Sequence, residues 1–386
     1  MDIEATIDAK IRPQLIEILG RQTANALLTR ATLAYVSTDG IEADRVEAFV
    51  DAIRSDERIL DAWGEEIVAT YVDEWIGLLK SELRDAEAEG ASARILDGRA
   101  MAEEVRAEIV ADVAAFEEQY GAVPTIAVVR AGKDPASVSY AKMIKRSFEN
   151  AGMNFVLHTL PASADADDIT DVLFTLNADS AVSGIMVQEP LPRGIDDMVI
   201  KAAIAPEKDA DGVNPINAGR LAQAAPVGRT PGVIDYIVPA TPLGGLEILK
   251  RAGVEMDGAR AVVVGRSNIV GRPMSFLLMQ HHATVSMCHS HTDPLGPVTR
   301  QADIMCVAVG VPELIKGDMV RPGAVVIDFG FNKKNDKWVG DVDFEEVRRV
   351  AGAITPVPGG TGSMTNVMLM RNVLEAARRR REKAGA

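Results

Sequence analysis

The stretch R-A-V-V-V-G-R-S-N-I-V-G-R-P, residues 260–273, decides the fold of this chain. Ala261 to Val264 are small or β-branched apolar residues and predict a short buried strand, and Gly265 follows where the backbone turns into a helix that starts near Arg272. A strand that ends at glycine and leads into a helix presents free backbone N–H groups and a positive dipole end to an anion. The spacing is G-x-S-x-x-x-G and not the fuller G-x-G-x-x-G. Alone, the stretch therefore fits a dinucleotide cradle or an ordinary strand-turn-helix unit.

Length and composition bound the class of protein. The chain has 386 residues, of which 47% are hydrophobic and 25% charged, which suits a globular protein of about two to three domains. Its net charge of −15 argues against a nucleic-acid surface and against anionic membranes. No apolar run approaches the roughly 18 residues that span a bilayer, and residues 1–30 lack the features of a signal peptide. We therefore expect a cytoplasmic enzyme.

The cysteines and histidines form no metal motif. Cys288 and Cys306 lie in apolar, strand-like segments with no second cysteine or histidine at zinc spacing, so they are interpreted as core residues. His289 and His291 form H-x-H, but no carboxylate or cysteine stands at ligand spacing beside them. We therefore expect no metal site.

Residues 1–92 are predicted to be an all-helical N-terminal extension. Large apolar side chains recur at helical spacing at Val46, Phe49, Val50, Ile53, Trp63, Ile67, Tyr71, Trp75 and Leu78. The helices could pack as a bundle, on the rest of the protein, or on a second subunit. The polar, small-residue segment 81–93, with Gly90 as a helix stop, marks the boundary.

From residue 94 the pattern alternates between strands and helices. Strands are predicted at 125–129, 155–158 and 184–187, and then at 261–264, 284–287, 304–309 and 324–328. Helices are predicted around 105–116, 134–152, 167–176 and 364–377. This alternation predicts parallel sheets covered on both faces, with ligands at the carboxyl ends of the strands.

The fold class is thus α/β and two-lobed, with a parallel-sheet substrate lobe and a Rossmann-like dinucleotide lobe. We predict a substrate lobe over 93–240, with the C-terminal helix 364–386 packing back on it, and a dinucleotide lobe over 241–363.

Seven stretches occur in one collinear order. They are I-L-D-G-R (95–99), D-P-A-S-V-S-Y (134–140), G-I-M-V-Q-E-P-L-P (184–192), K-D-A-D-G-V-N-P-I-N-A-G-R-L (208–221), V-V-G-R-S-N-I-V-G-R-P (263–273), G-D-V (340–342) and T-P-V-P-G-G-T-G-S-M-T (355–365). Together they resemble the bifunctional methylenetetrahydrofolate dehydrogenase/methenyltetrahydrofolate cyclohydrolase family over residues 94–380. Several motifs in the same order are far more specific than any one of them.

The resemblance implies a cleft between the lobes, where a reduced folate meets a dinucleotide. It implies hydride transfer from 5,10-methylenetetrahydrofolate and hydrolysis of the methenyl product to 10-formyltetrahydrofolate. Asp211 would hold the donor-rich edge of the pterin, Tyr140 would stack on it with its hydroxyl near the reacting carbon, and Gln188 would orient the catalytic side chains.

The same resemblance implies the remaining site residues. Substrate binding would also involve Val187, Pro190, Leu191, Pro358, Gly359 and Gly360. Cofactor binding would involve Gly265, Arg266, Ser267, Ile269, Gly271, His289 and Ser290. The family's NADP users carry arginine and serine at positions 266 and 290, and no acidic residue ends strand 284–287, so NADP is the expected cofactor. Family members are usually homodimers, and we expect a homodimer here.

One family motif, Y-x-x-x-K, is broken in this chain. The fourth residue after Tyr140 is Ile144, where the family has the lysine that carries the cyclohydrolase step, and the spacing to Gly152 needs no gap. Each helical residue advances about 100°, so Lys142 and Lys145 lie about 160° and 140° from Tyr140 and do not replace that lysine.

This departure shapes the functional prediction. A lost acid–base group typically costs ~10² to 10⁴ in rate, whereas hydride transfer depends mainly on positioning. The sequence predicts an NADP-dependent methylenetetrahydrofolate dehydrogenase whose cyclohydrolase activity is lost or weak. The alternatives are a bifunctional enzyme that uses another group, and a non-catalytic pterin- or nucleotide-binding regulatory protein. Glu189 and Ser363 also depart from the family's leucine and proline, through either neutral drift or a modified pterin substrate.

Overall fold

The chain folds as two compact units, Met1–Ser92 and Ala93–Ala386. The structure, a computed structural model, describes residues 7–38, 42–64, 68, 70–77, 79, 92–228 and 235–385.

The first unit is helical and has a core of its own. Its described elements are a π-helix, Ile7–Ile11, and the α-helices Arg12–Leu19, Arg21–Ser37, Glu42–Arg54 and Glu57–Trp63. The residues predicted at helical spacing between 46 and 53 are buried in one cluster, and the rings of Trp63, Tyr71 and Trp75 pack on one another. The predicted Ile67 and Leu78 lie outside the described residues. These helices therefore pack as a bundle.

The second unit begins with a three-stranded parallel sheet. Its strands are β2, Thr125–Ala131, β3, Asn154–Leu160, and β4, Gly184–Val187, in the order β3-β2-β4. The central strand β2 is fully buried from Ile126 to Val129, as an apolar run in a parallel sheet should be. Helices Pro135–Asn150 and Ala166–Ala178 make the crossovers.

A second, six-stranded parallel sheet contains the strand of the predicted dinucleotide cradle. Its strands are β1, Arg94–Ile95, β5, Arg260–Val264, β6, Thr284–Cys288, β7, Ile304–Val307, β8, Val325–Asp328, and β11, Ala353–Ile354, in the order β1-β11-β8-β7-β5-β6. A hairpin, β9, Asn332–Lys334, and β10, Lys337–Val339, stands beside it. The predicted division at 93–240 assigns β1 to the substrate lobe, yet β1 pairs with β11 in the other sheet. Two-residue strands carry too short a pattern to be read from sequence.

Helices cover both sheets. Besides the two crossovers they are Gly98–Tyr120, Asp197–Ala203, Pro215–Gln223, Ala240–Arg251, Gly271–Gln280, Gly296–Thr299, Phe344–Val347 and Thr361–Gly385, with 3₁₀ turns at Pro206–Lys208 and Gly317–Met319. The last long helix begins at Thr361, ahead of the predicted 364, and packs against Gly98–Tyr120 and Ala240–Arg251. The predicted α/β class with parallel sheets and a helical N-terminal segment is confirmed.

Within the described residues, no helix combines the length and apolarity that crossing a membrane requires.

Candidate active site

A cavity of about 250 Å³ opens at the carboxyl end of β4. It brings together six residues of the predicted site, Tyr140, Val187, Gln188, Leu191, Asp211 and Ile269. The first five come from the predicted substrate motifs, and Ile269 comes from the loop of the predicted dinucleotide cradle. One cavity therefore adjoins both sets of motifs, at the sheet edge where ligands of parallel sheets bind.

Four predicted substrate residues do not line this cavity: Pro190, Pro358, Gly359 and Gly360. The backbone N–H of Arg99 donates to the Gly359 carbonyl at 3.1 Å, which ties the 355–365 loop to the I-L-D-G-R turn. A role for these four residues in substrate binding stays a prediction.

Tyr140 is placed by the helix Pro135–Asn150. Proline at the first position and Asp134, whose carboxylate accepts from the Ser137 N–H at 2.9 Å, start the helix at a fixed point. Burial, and then the charge of Asp211, raise the pKa of the Tyr140 hydroxyl. The hydroxyl is therefore protonated at neutral pH and has a proton to donate to a ligand.

Gln188 is buried directly after β4. Its N–H donates to the Val129 carbonyl at 2.9 Å, and its side-chain Nε2 donates to the Ser137 carbonyl at 3.2 Å. Among the described residues, no donor meets its Oε1. A buried acceptor without a partner costs roughly 1–3 kcal/mol, so the site contains an oxygen that is prepared for an N–H or O–H donor.

Ile144 lies on the same helix face as Ser137, seven residues and about two turns further along. It is fully buried in the main hydrophobic cluster, and its side chain has no N–H donor. Lys142 and Lys145 lie on the solvent face, where Lys145 pairs with Glu149 at 3.7 Å. The helix therefore directs both of these lysines away from the buried face.

Lys208 anchors the loop that carries the site carboxylate. Its ammonium is buried and donates to the carbonyls of Leu176, Asn177 and Asp179 at 2.8, 2.8 and 2.6 Å, which lie at the end of the helix Ala166–Ala178. Burial lowers the pKa of Lys208 to about 8. The three carbonyls at this helix end are capped by the ammonium, which fixes the start of the loop.

The two carboxylates of K-D-A-D-G have different surroundings. Asp209 is fully buried and accepts from the N–H groups of Val213 and Asn214 at 3.1 and 2.8 Å, and from the Asn217 amide at 2.9 Å. These bonds close the loop on itself. Asp209 is thus a structural carboxylate, and Asp211, two residues on, lines the cavity.

Asp211 is an unusually basic carboxylate. Burial raises its pKa to about 6, and the negative charges of Asp209 and Glu189 add to the effect, whereas the positive charge of Lys201 opposes it. It therefore changes its protonation state near neutral pH, which is typical of functional sites.

Sequence reasoning missed several residues of the cavity wall. The cavity is also lined by Ile185, Met186, Glu189, Asp197, Ile200, Lys201, Ile204, Asp209, Val213, Thr241 and Thr365. Five of the eleven are apolar, and their spacing in the sequence indicates only a helix or strand. Lys201 carried a weak signal, because Asp197 precedes it by four residues on a short helix.

The predicted cradle is a tight glycine turn. Gly265 has φ +124°, and a Cβ there would lie 2.2 Å from the Ala308 carbonyl oxygen. A Cβ on Gly271 would lie 2.2 Å from the Gly265 oxygen. Ser267 Oγ accepts from the N–H groups of Val270 and Gly271 at 3.1 and 3.3 Å. Only glycine fits both positions, and the turn leads directly into the helix Gly271–Gln280.

The adjoining sheet edge is basic. Arg266 is exposed directly after β5, and His289 and Ser290 follow β6. Because Val264 pairs with Cys288 in parallel register, the two strand ends lie side by side. A cationic side chain, a hydroxyl and a glycine turn at one edge suit a phosphorylated dinucleotide.

Among the described residues, no group of three or more histidine, cysteine or carboxylate side chains is arranged to hold a metal ion.

Two family descriptions match this chain. The catalytic domain of tetrahydrofolate dehydrogenase/cyclohydrolase matches residues 96–211, and the NAD(P)-binding domain matches residues 239–381. The bifunctional protein FolD of Chloroflexus aurantiacus is 51% identical over 290 residues, which cover 75% of this chain and 99% of that protein. The chain belongs to the tetrahydrofolate dehydrogenase/cyclohydrolase family.

Other members of the tetrahydrofolate dehydrogenase/cyclohydrolase family agree. FolD of Roseiflexus castenholzii is 50% identical over 288 residues, which cover 74% of this chain and 97% of that protein. The Campylobacter jejuni FolD crystal structure superposes with a TM-score of 0.71 at 39% identity, covering 75% of this chain and 99% of that one. A Trypanosoma brucei family member, solved with NADP and an inhibitor, gives 0.68 at 36% identity, covering 74% and 98%. The predicted family is confirmed, and residues 1–92 lie outside both matching domains.

Proposed function

We propose that this protein oxidises 5,10-methylenetetrahydrofolate to 5,10-methenyltetrahydrofolate in one-carbon metabolism, with NADP as cofactor. The observation that carries the proposal is the cavity lined by Tyr140, Gln188 and Asp211 together with Ile269 of the cradle loop. A reduced pterin in this cavity lies next to the end of the cradle that would hold the nicotinamide. NADP supplies a hydride acceptor, and the chain supplies the alignment of the two rings.

The substrate side follows from the polar groups of the cavity. Ionised Asp211 accepts from the N–H groups of the pterin edge, and Tyr140 packs its ring against the ligand. Aliphatic side chains, Ile185, Ile200 and Ile204 among them, form another part of the wall and shield the ligand from water there.

The choice of NADP over NAD rests on charge. Arg266 is exposed beside the cradle, and His289 and Ser290 stand on the neighbouring strand end, so the 2′-phosphate would meet a guanidinium and a hydroxyl. NAD-binding sites of this type usually place a carboxylate at the ribose instead. The NADP in the Trypanosoma brucei relative supports the same choice.

Hydrolysis of the methenyl product is proposed as a second, slower activity. The relatives from Chloroflexus and Roseiflexus are named bifunctional, which favours a bifunctional enzyme over one that has lost hydrolysis altogether. The buried alkyl group of Ile144 and the unmet Oε1 of Gln188 favour a reduced hydrolytic rate. An absent acid–base partner corresponds to ~10² to 10⁴ in rate.

A homodimer is proposed through strand β3. It stands at the edge of its sheet, and its neighbouring residues Val156 and Leu157, which point to opposite faces, are 41% and 38% exposed. An open strand edge with apolar side chains on both faces is suited to pairing with a second copy of itself. We further propose residues 93–240 as the folate lobe and 241–363 as the NADP lobe, with the C-terminal helix returning to the former.

The test is an assay of both steps on the purified full-length protein. Reduction of NADP by methylenetetrahydrofolate is expected, with a lower rate when NAD replaces NADP. Methenyl hydrolysis is expected above the rate in buffer but below the dehydrogenase rate. Tight NADP binding without turnover of any reduced folate would instead favour a regulatory, non-catalytic protein, and hydrolysis as fast as dehydrogenation would contradict the assigned effect of Ile144.

A further inference from the structure

The cavity wall carries an ion pair that the proposed chemistry has not used. Lys201 Nζ lies 3.0 Å from Glu189 Oε1 and 2.6 Å from Asp197 Oδ2, and all three side chains line the cavity. The Lys201 side chain is only 14% exposed, compared with 55% for Glu189. Lysine side chains are seldom this well shielded from solvent. In an ordinary surface salt bridge both side chains are exposed to solvent.

Two structural elements hold this ammonium in place. Asp197 lies one turn before Lys201 on the helix Asp197–Ala203, and that helix is anchored in the core by Ile200. Glu189 comes from the loop after β4. Burial lowers the pKa of Lys201, but its bonds to Asp197 and Glu189 outweigh this and raise it, so the group is an ammonium at neutral pH. Its two carboxylate partners accept two of its three N–H donors, which leaves one for a third acceptor.

The charge of Lys201 acts on Asp211, which lines the same cavity. The positive charge of Lys201 lowers the pKa of Asp211, against burial and the charges of Asp209 and Glu189. Both side chains line the same space of about 250 Å³. The wall therefore presents two carboxylate oxygens that accept hydrogen bonds and, in the same cavity, an ammonium that donates one.

This pattern is complementary to one edge of a 2-amino-4-oxo pyrimidine ring. Such an edge offers two donors, the exocyclic amino group and the ring N–H, followed by one acceptor, the 4-oxo group. Asp211 matches the two donors, and a donor is then needed beside it. On the basis of the proposed reduced-folate function, we propose that Lys201 binds the 4-oxo group and is the residue that selects oxo-pterins over 4-amino analogues.

Glu189 and Asp197 have a distinct part in this arrangement. They neutralise and orient the ammonium, so that it donates toward the ligand without adding an uncompensated positive charge to the wall. The site thereby rejects a 4-amino ring in two ways. The ammonium would face another N–H donor, and the fixed geometry prevents Lys201 from turning away.

The experiment compares two ligands on four forms of the full-length protein. The ligands are tetrahydrofolate and its 4-amino-4-deoxy counterpart, and their dissociation constants are measured by calorimetry with NADP present. The forms are the wild type, Lys201→Met, the double variant Glu189→Leu with Lys201→Leu, and Lys145→Met. Lys145 is a matched control, because it also pairs with a carboxylate four residues away but lies on the solvent face.

The wild type should bind the oxo ligand more tightly than the amino ligand by about 10- to 100-fold, the range of one charge-assisted hydrogen bond. Lys201→Met should weaken oxo binding by about that factor and leave amino binding unchanged or tighter, because the opposing N–H donor is gone, which removes the preference. The double variant should lose the preference too, although it contains no unpaired Glu189 carboxylate. Lys145→Met should keep it, and all four forms should bind NADP equally.

Three results would overturn the assignment. If Lys201→Met weakens both ligands equally, or if the preference survives in both Lys201 variants, Lys201 only supports the wall. Failure of the wild type to bind either reduced ligand while binding NADP would overturn the proposed folate function and this assignment with it, so the two failures are distinguishable.

Discussion

Replacement of Ile144 by lysine tests how this site limits hydrolysis. Ile144 is fully buried, and it shares a helix face with Ser137, whose carbonyl holds the Gln188 amide. The methylene stem of a lysine can follow the space of the isoleucine, and its ammonium can donate to the unmet Oε1 of Gln188. We therefore expect Ile144→Lys to raise methenyl hydrolysis by about 10² to 10⁴, the usual contribution of a positioned acid–base group.

The same substitution should reduce stability. A charge placed in the core loses its hydration, at an effective cost of several kcal/mol, and the new hydrogen bond to Gln188 recovers only about 1–3 kcal/mol. We expect a net loss of about 2–4 kcal/mol in the free energy of unfolding, from urea titration with and without NADP. The dehydrogenase rate should change by less than about tenfold, because hydride transfer depends on ring alignment rather than on this group.

The assay follows the enzyme-dependent loss of methenyltetrahydrofolate absorbance, with Ile144→Met as the control that fills the same space without an N–H. A folded, NADP-binding Ile144→Lys protein that hydrolyses no faster than Ile144→Met would refute the reasoning. It would mean that the missing amine does not limit hydrolysis in this chain.

Four other outcomes are expected. Burial raises the pKa of Asp211 to about 6, with Asp209 and Glu189 acting in the same direction and Lys201 opposing them. Because the ionised carboxylate binds the substrate, kcat/KM for methylenetetrahydrofolate should fall as the pH drops below about 6. A rate profile that stays flat down to pH about 5 would contradict this. Arg266→Gln should raise KM for NADP about 10- to 100-fold with little change for NAD, measured by steady-state kinetics, whereas equal effects on both would exclude a 2′-phosphate contact. Lys208→Met leaves three carbonyls without their donor and should lower the free energy of unfolding by about 3 kcal/mol or more, and a urea midpoint equal to that of the wild type would argue against the anchoring role. Leu157→Lys should shift the light-scattering mass from dimer to monomer if β3 is the interface, and an unchanged dimer would place the interface elsewhere.

The sequence predicted the sheet elements whose residues form long, uninterrupted apolar runs. The strand predicted at 184–187 is β4 without change, and the run at 125–129 lies within β2. The turn after β5 was also predictable, because its glycine is required: Gly265 lies so close to Ala308 that no side chain would fit there. Where the local pattern and the tertiary structure require the same residue, the element can be predicted from sequence alone.

The sequence could not supply features that depend on contacts between distant segments. Strands β1 and β11 have two residues each and form by pairing with distant strands, β1 with β11 and β11 with β8, so no local period marks them. Lys201 and Glu189 are 12 positions apart and meet only in the folded wall. The environments of Asp209 and Asp211 also differ for a tertiary reason. The loop bonds to the carboxylate of Asp209, and Asp211 lines the cavity. The spacing of two carboxylates at i and i+2 does not show which of them the loop will bind.

The place of β1 in the second sheet bears on how this enzyme can be engineered. Residues 94 and 95 precede the three-stranded sheet in the chain, yet they cover the flank of β11, which is made near the end of the chain. A fragment that begins at residue 241 would carry β11 with a bare flank, open to pairing with other molecules. Exchanging nucleotide lobes between relatives therefore requires moving this short leading strand along with them, and a swap that omits it is expected to aggregate.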